Sequence, residues 1–211
     1  MNLELKSIKK PVYCNDYRSD DADITLISSD EVYFKVHNYM LKAHSVVFRE
    51  LLIDTQMIKT DIHMDEVKSQ DLKRFLDLIY LETVSIPYNW IETKIIIDLS
   101  LKYECFLIEE RIRTRLNLQI EQEPWEIFIL SSYFNDLNLA KKSLLFFGRD
   151  PNKRWFSLST LNLFDASQPK LNYLLGLLKT INDIHQGQPP TPSSNKIPDW
   201  KKVSEKFQPL S

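Results

Sequence analysis

Four histidines and two cysteines are the residues of this chain with the widest chemical repertoire. A zinc site needs His or Cys ligands a few residues apart, matched by a second such pair. His37, His44, His63 and His185 show no such spacing, and Cys14 and Cys105 lie too far apart in sequence to extend it. The two cysteines also make no disulfide framework, so the natural reading is a reducing compartment, cytoplasm and/or nucleus. Ser45 and Ser69 each precede an apolar-periodic stretch without a G-x-S-x-G elbow around them. They read as helix caps, not nucleophiles. His44 sits just before a helix start and reads as structural, and the Glu109-Glu110 pair reads as solvated. Glycine occurs only at positions 148, 176 and 187. A phosphate-cradling loop needs clustered glycines so that backbone amides can approach the ligand, and none can be written here. The expectation is a non-enzymatic chain with no catalytic residue, no metal and no cofactor.

Charge narrows the partners further. The net charge is -2, and acids and bases are interspersed. Nucleic-acid binding proteins show a basic face or stripe instead. The small clusters Arg111/Arg113/Arg115 and Lys141-Lys142 read as solvated helix faces. Two cysteines cannot build zinc fingers, so a nuclear role would run through a partner. No stretch approaches the roughly 18 apolar residues of a membrane span. The longest candidate, Ile95–Leu101, is broken by Asp98, and MNLELKSIKK lacks the continuous apolar run of a secretory signal. With 43% hydrophobic residues, the chain can bury a substantial core.

The elements that must position any contact surface follow from period and punctuation. Residues 1–20 form a mixed, polar arm in which Leu3, Leu5 and Ile8 could make a helical turn or an edge strand; Pro11 blocks continuation of a helix. Ala22–Ser28 alternates as a half-buried strand. Val32, Phe34 and Val36 share one face of a second strand, Tyr33, Lys35 and His37 the other, with the glycine-free turn Ser28-Ser29-Asp30-Glu31 between. Asn38 is expected to cap a helix through His44, and Ser45 the next, Val46 to about Asp54, with Val47, Phe48, Leu51 and Leu52 as its stripe. Thr60–Met64 reads as a third strand. A helix from Ser69 carries Leu72, Phe75, Leu76, Ile79 and Tyr80, and Val84–Pro87 is extended. Asn89 and Glu92 frame a capping-box-like start to a helix with Ile91, Ile95, Leu99 and Tyr103 inward. The next helix, from about Ile108, turns Ile112 and Leu116 inward and its arginines outward. Pro124 opens a helical hairpin, Trp125–Phe134 and Leu137–Phe147, that Gly148 is placed to stop. Trp155, Phe156, Leu161, Leu163 and Phe164 are aperiodic but expected to be packed. A helix over 169–184 follows, with Leu171, Leu174, Leu178 and Ile181 on one stripe. The proline-dense span 187–198 leads to a short terminal helix presenting Trp200, Val203 and Phe207, which is expected to dock on the chain's own helices.

Strand, strand, helix, helix, strand, then helices is an α+β pattern, a small sheet covered by a helical cluster. It resembles the BTB/POZ domain. Asp23-Ile24 opens the first strand, and Phe34-Lys35-Val36-His37-Asn38, Leu41, Ala43, Ser45, Phe48 and Leu51-Leu52 continue the likeness. Asn38 stands where lysine is usual, and Lys42 separates Leu41 from Ala43. Phe75-Leu76-Asp77-Leu78-Ile79-Tyr80-Leu81-Glu82-Thr83 resembles a later family segment, with Thr83 where glycine is usual, and Lys102-Tyr103 resembles a recurrent pair. The match covers about residues 21–120. Residues 121–186 are similar to the helical C-terminal extension of short BTB proteins, and 187–211 are a Pro-rich linker with a short terminal helix.

The resemblance implies a protein–protein interaction module without catalytic residues, self-associating as a homodimer and serving as scaffold or adaptor. Many members dimerise through an extra amphipathic helix ahead of the first strand. Here that stretch is short and interrupted by Pro11, which leaves Tyr39, Met40, Ala43 and Val46 as the candidate interface, with intramolecular core as the alternative for the same residues. Some members are substrate adaptors for cullin ubiquitin ligases, and the contact motif reads apolar, any residue, acid. Trp90-Ile91-Glu92 fits that wording, whereas alignment through Lys102-Tyr103 places Glu92, Thr93 and Lys94 there.

Overall fold

The alternating stretches form strands, as their period requires. The computed structural model describes residues 10–53, 60–81, 89–147, 149, 161–186 and 198–210. Contacts divide the chain into two units, Met1–Ile86 with Asp98–Glu109, and Pro87–Ile97 with Glu110–Ser211.

In the first unit, β1 (Val12–Arg18), β2 (Ile24–Ser28), β3 (Val32–Val36) and β4 (Thr60–Met64) make one sheet in the order β1-β3-β2-β4. β2 and β3 are the antiparallel hairpin, with Ile24 opposite Val36 and Leu26 opposite Phe34; all four are buried. β4 runs parallel to β2. The turn manages without glycine because Ser28 closes it twice. Its carbonyl accepts from the Glu31 N–H at 3.0 Å, and its hydroxyl oxygen accepts from the Val32 N–H at 3.0 Å. Glu31 takes the left-handed conformation, φ 61°.

One expectation is corrected here. The predicted arm contains β1, which lies parallel to β3 at the sheet edge. Pro11 sits just ahead of it, a place where a missing N–H costs the ladder nothing. The register shifts between Tyr13 and Arg18. Between those pairs β1 spends five residues where β3 spends two, and an odd number of extra residues, three here, turns the later side chains to the opposite face. Tyr13 accordingly pairs its ring with Tyr33 on one face, while Tyr17, four residues on, packs on Phe34 on the other. Leu3, Leu5 and Ile8 lie outside the described residues.

Helices α1 (Asn38–His44), α2 (Val46–Leu51) and α3 (Ser69–Tyr80) pack together in the first unit, with Leu41, Phe48, Leu72, Phe75 and Leu76 fully enclosed. The capping differs from expectation at two of three helices. Asn38 is the first residue of α1, not its cap; its N–H donates to Asp23 Oδ1 at 2.7 Å. Ser69 likewise lies inside α3, and its N–H and hydroxyl donate to the Asp30 carboxylate from the β2–β3 turn, at 2.7 and 2.6 Å. Ser45 caps α2 as expected, accepting from the Phe48 N–H at 3.0 Å. Leu51 is not core but 58% exposed, because it lies about 60° off the Phe48–Leu52 line, away from Ser45.

α4 (Trp90–Lys102) and α5 (Phe106–Gln119) follow. Asn89 Oδ1 accepts from the Ile91 N–H at 2.8 Å at the start of α4. The predicted α4 stripe is rotated. Thr93, Ile96, Ile97, Leu99 and Ser100 are buried, Ile95 is half-buried and Ile91 is 49% exposed. Three consecutive isoleucines allow several stripes to be drawn, and Thr93 is admitted to the interior because its hydroxyl donates to Asn89 O at 3.0 Å. Ile112 and Leu116 face inward on α5 as expected, and Ile108 is buried with them. Its arginines are half-buried, not a solvated face; Arg113 lies 4.4 Å over the Phe134 ring, with Nε 3.6 Å from Asp136 Oδ2.

Beyond its share of α4 and α5, the elements of the second unit among the described residues are helices: α6 (Pro124–Phe134), α7 (Leu137–Leu144), α8 (Leu163–Ala166), α9 (Leu171–Gln186) and α10 (Trp200–Lys206). Asn135, left-handed at φ 53°, ends α6, and Asp136 caps α7 by accepting from the Leu139 N–H at 2.9 Å. Leu163, Phe164 and Leu171 are corrected from packed to exposed, at 87%, 65% and 67%. α8 is a single turn held by Asn162, and the buried stripe of α9 begins two residues later, at Tyr173. Val84–Pro87, Gly148, Trp155, Phe156 and the span 187–197 lie outside the described residues. The terminal helix docks as expected, on α7 and α9, and Trp200, Val203 and Phe207 are buried in one cluster with Phe128, Phe147 and Tyr173.

Candidate protein-contact surface

Helices of six and seven residues do not persist alone in water. α1 and α2 hold their places because side chains from elsewhere take up their orphan groups. Asp23 accepts at the head of α1, and the Tyr80 hydroxyl accepts from the His37 N–H at 2.7 Å. Ser45, fully buried between the two helices, donates to Tyr103 O at 2.5 Å while capping α2. Phe48 stacks on the Tyr103 ring at 4.8 Å, 3° from parallel. The Asp23 and Ser45 of the motif are thus the fasteners that fix this helix pair.

The outer face of the pair carries the four predicted contact residues. Tyr39 is 67% exposed, and Ala43, one turn on, is exposed beside it. Met40 and Val46 are half-buried and belong partly to the interior. The Tyr39 ring lies 5.5 Å from His37, whose Nε2 is 3.3 Å from Asp21 Oδ1 and whose Nδ1 is 3.3 Å from the Tyr80 hydroxyl. Hydrogen bonds from Ser19 and then His37 hold the Asp21 carboxyl below its ordinary value. Burial pushes the Tyr80 phenol up to about 12, so it stays protonated and able to bridge. His37 is thereby an anchor for the base of α1.

Other polar groups fasten β1. Tyr17 donates to Asp77 Oδ1 at 2.9 Å, and Lys73 bridges Asp77 and Asp16 at 2.9 and 3.0 Å. Burial, reinforced by Asp77, raises the Tyr17 phenol far above its usual value. The Cys105 thiol is fully buried and pushed up to about 12 by that burial, which leaves it protonated and inert at neutral pH. Among the described residues, no three His, Cys, Asp or Glu side chains gather as a metal site, and no helix is long and apolar enough to cross a membrane.

Sequence reasoning missed a second set of exposed apolar residues in the first unit. Leu51 ends α2 and Ile53 follows it, and Leu101, Phe106 and Leu107 sit at the α4–α5 corner, all between 38% and 67% exposed. Each continues an apolar period, so nothing in the pattern separates them from core. The Tyr17–Asp77 latch spans sixty positions and had no local signal either. Of Trp90-Ile91-Glu92, Ile91 is open to solvent and Glu92 lies in the first turn of α4.

Residues 14–118 match the family model of the BTB/POZ domain. The match begins inside β1 and ends in the last turn of α5. No curated protein matches the chain at a significant level.

Proposed function

Because this chain carries a BTB/POZ domain in residues 14–118, we propose that it works by self-association through that domain and acts as a scaffold or adaptor. The BTB/POZ domain is a protein–protein interaction module. The observation that carries the finer reading is Tyr39, a large aromatic 67% exposed on a helix whose ends are both fastened. An aromatic held on a rigid support loses little entropy on binding and makes an efficient anchor. Ala43 beside it permits close approach of a second helix, with Met40 and Val46 completing the patch. The two free thiols, Cys14 and Cys105, suit a reducing compartment, cytoplasm or nucleus, which cell fractionation would test.

Light scattering on the purified chain at tens of micromolar tests the reading. A dimer is expected, weakened ~10-fold or more by Ala43→Arg, which sets a charge in the patch. A strictly monomeric wild-type chain removes self-association while leaving the interaction module in place.

A second reading, adaptor to a cullin ubiquitin ligase, is favoured by the exposure of Ile91 at the head of α4. Pull-down with a cullin N-terminal domain decides it. Binding that Ile91→Asp abolishes supports the adaptor role, and no binding at micromolar protein sinks it.

A further inference from the structure

The C-terminal segment is held in the second unit the way a peptide is held by a receptor. Its anchors Trp200, Val203 and Phe207 fall at i, i+3 and i+7, the spacing of an amphipathic helix laid in a groove. Phe207 is fully buried with its ring 5.6 Å from Phe128 and 5.8 Å from Tyr173, and Trp200 meets Phe147 edge-on at 4.9 Å. The opposite face, Lys201, Lys202, Glu205 and Lys206, is exposed. Polar clamps then set register and direction. Ser204 donates its hydroxyl to Lys141 O at 2.8 Å, and Lys141 Nζ donates to Glu205 O at 3.3 Å. Beyond the helix, the Leu210 N–H donates to Asn172 O at 3.0 Å. The backbone crosses α9 at Gly176, where a Cβ would come within 2.2 Å of Gln208 O. Only glycine admits the segment there.

We propose that α6, α7 and α9 form a helix-recognition groove whose resident ligand is the chain's own segment 198–210, and that the groove accepts the same segment from a second copy. A seven-residue helix with its own cap at Asp199 does not persist undocked, so it orders on binding. Residues 187–197 intervene between it and α9, with Pro189, Pro190 and Pro192, and eleven residues reach at most about 36 Å. Such a tether supplies the segment at high effective concentration, so the lone chain fills its own groove, and crowding of chains allows exchange. The ligand class is an amphipathic helix with Trp, a β-branched aliphatic three residues later and Phe four beyond that, followed by an extended tail that crosses a glycine. The groove lies in the second unit, and its claim is independent of the Tyr39 patch.

The test uses the full chain with a specific protease site placed within 187–197, folded first and then cut. A fluorescent peptide of residues 198–210 is added at tens of micromolar. The severed tail is expected to co-elute with the body and to be replaced by the labelled peptide, while a Phe207→Ala peptide competes roughly tenfold less well or worse. The uncut chain takes up little label. A severed tail that stays bound and never exchanges short of unfolding makes α10 a permanent part of the core and overturns the proposal. So does a body that keeps its near-ultraviolet circular dichroism, loses the tail and ignores the peptide. Should cutting unfold the body, exchange is read on uncut chains in a Cys14→Ser background, mixing Lys141→Cys with Ser204→Cys. A bismaleimide crosslink between the two chains supports tail exchange, and its absence after prolonged co-incubation overturns it.

Discussion

The two units bury comparable side chains but hold them differently. In the first, single polar groups from distant positions do the fastening: Asp23 on α1, Ser45 on α2, Asp30 on α3, Asp77 on Tyr17. In the second, an aromatic cluster of Phe128, Phe147, Tyr173, Trp200 and Phe207 does it, helped by a few hydrogen bonds. The reason lies in the elements. α1 and α2 are too short to satisfy themselves and lean on caps, whereas the sixteen-residue α9 satisfies its own backbone and needs only a packed face. A unit built on caps should fail at single atoms, and one built on rings should fail by volume.

That contrast can be broken, beginning with the largest effect. Phe207→Ala should destabilise the protein by about 3–5 kcal/mol, the range for removing a fully buried ring. Chemical denaturation measures it, and a loss under about 1 kcal/mol would show that the aromatic cluster does not hold the second unit. Ser45→Ala removes a cap, leaves the Phe48 N–H without its partner and leaves Tyr103 O only the longer bond from the Cys105 thiol, at a cost of about 2 kcal/mol. Ser45→Thr should recover part of it, and if Ala and wild type melt alike, the cap-based account of the first unit is wrong.

A smaller effect is expected at Asp30, whose carboxyl is held down to about 2 by the Ser69 hydroxyl and N–H. An acid depressed in the folded state contributes stability above its unfolded value near 3.8 and loses it as pH falls toward 2. Stability of the wild type should therefore fall more steeply between pH 4 and 2 than that of Asp30→Asn. Parallel pH profiles would mean that Asp30 does not fasten α3. The smallest effect leaves stability untouched. Native protein exposed to a maleimide should be labelled at the half-exposed Cys14 and not at Cys105 until it is unfolded; fast labelling of Cys105 would mean that the α4–α5 corner opens readily.

Much of the first unit was legible because its pattern is local. Alternation over Ile24–Leu26 and Val32–Val36, and Ser45 ahead of an apolar turn, each state one element in a few residues, and their order resembled a known family. Helix caps were read less well. Asn38 and Ser69 have the right chemistry for the position, but Asp23 and Asp30 reached the helix starts first, from fifteen and thirty-nine residues away. Of the candidate interface, Tyr39 and Ala43 lie open, while Met40 and Val46 are half covered, a difference that helical period alone does not encode. β1 was missed because its strand character depends on pairing with β3 and on a register shift that no alternation records.

By itself the sequence determined the element order, the α+β class, the family of residues 14–118 and the types of side chain available for caps and core. These follow from periods of two and three to four residues and from local turn chemistry, which act over single elements. Only the tertiary structure decided which apolar residues stay outside, such as Leu51, Ile91, Leu163 and Leu171, and which carboxylate caps which helix. It also decided that the tail crosses α9 at Gly176. Each depends on which surfaces meet, and a residue's neighbours along the chain do not carry that information.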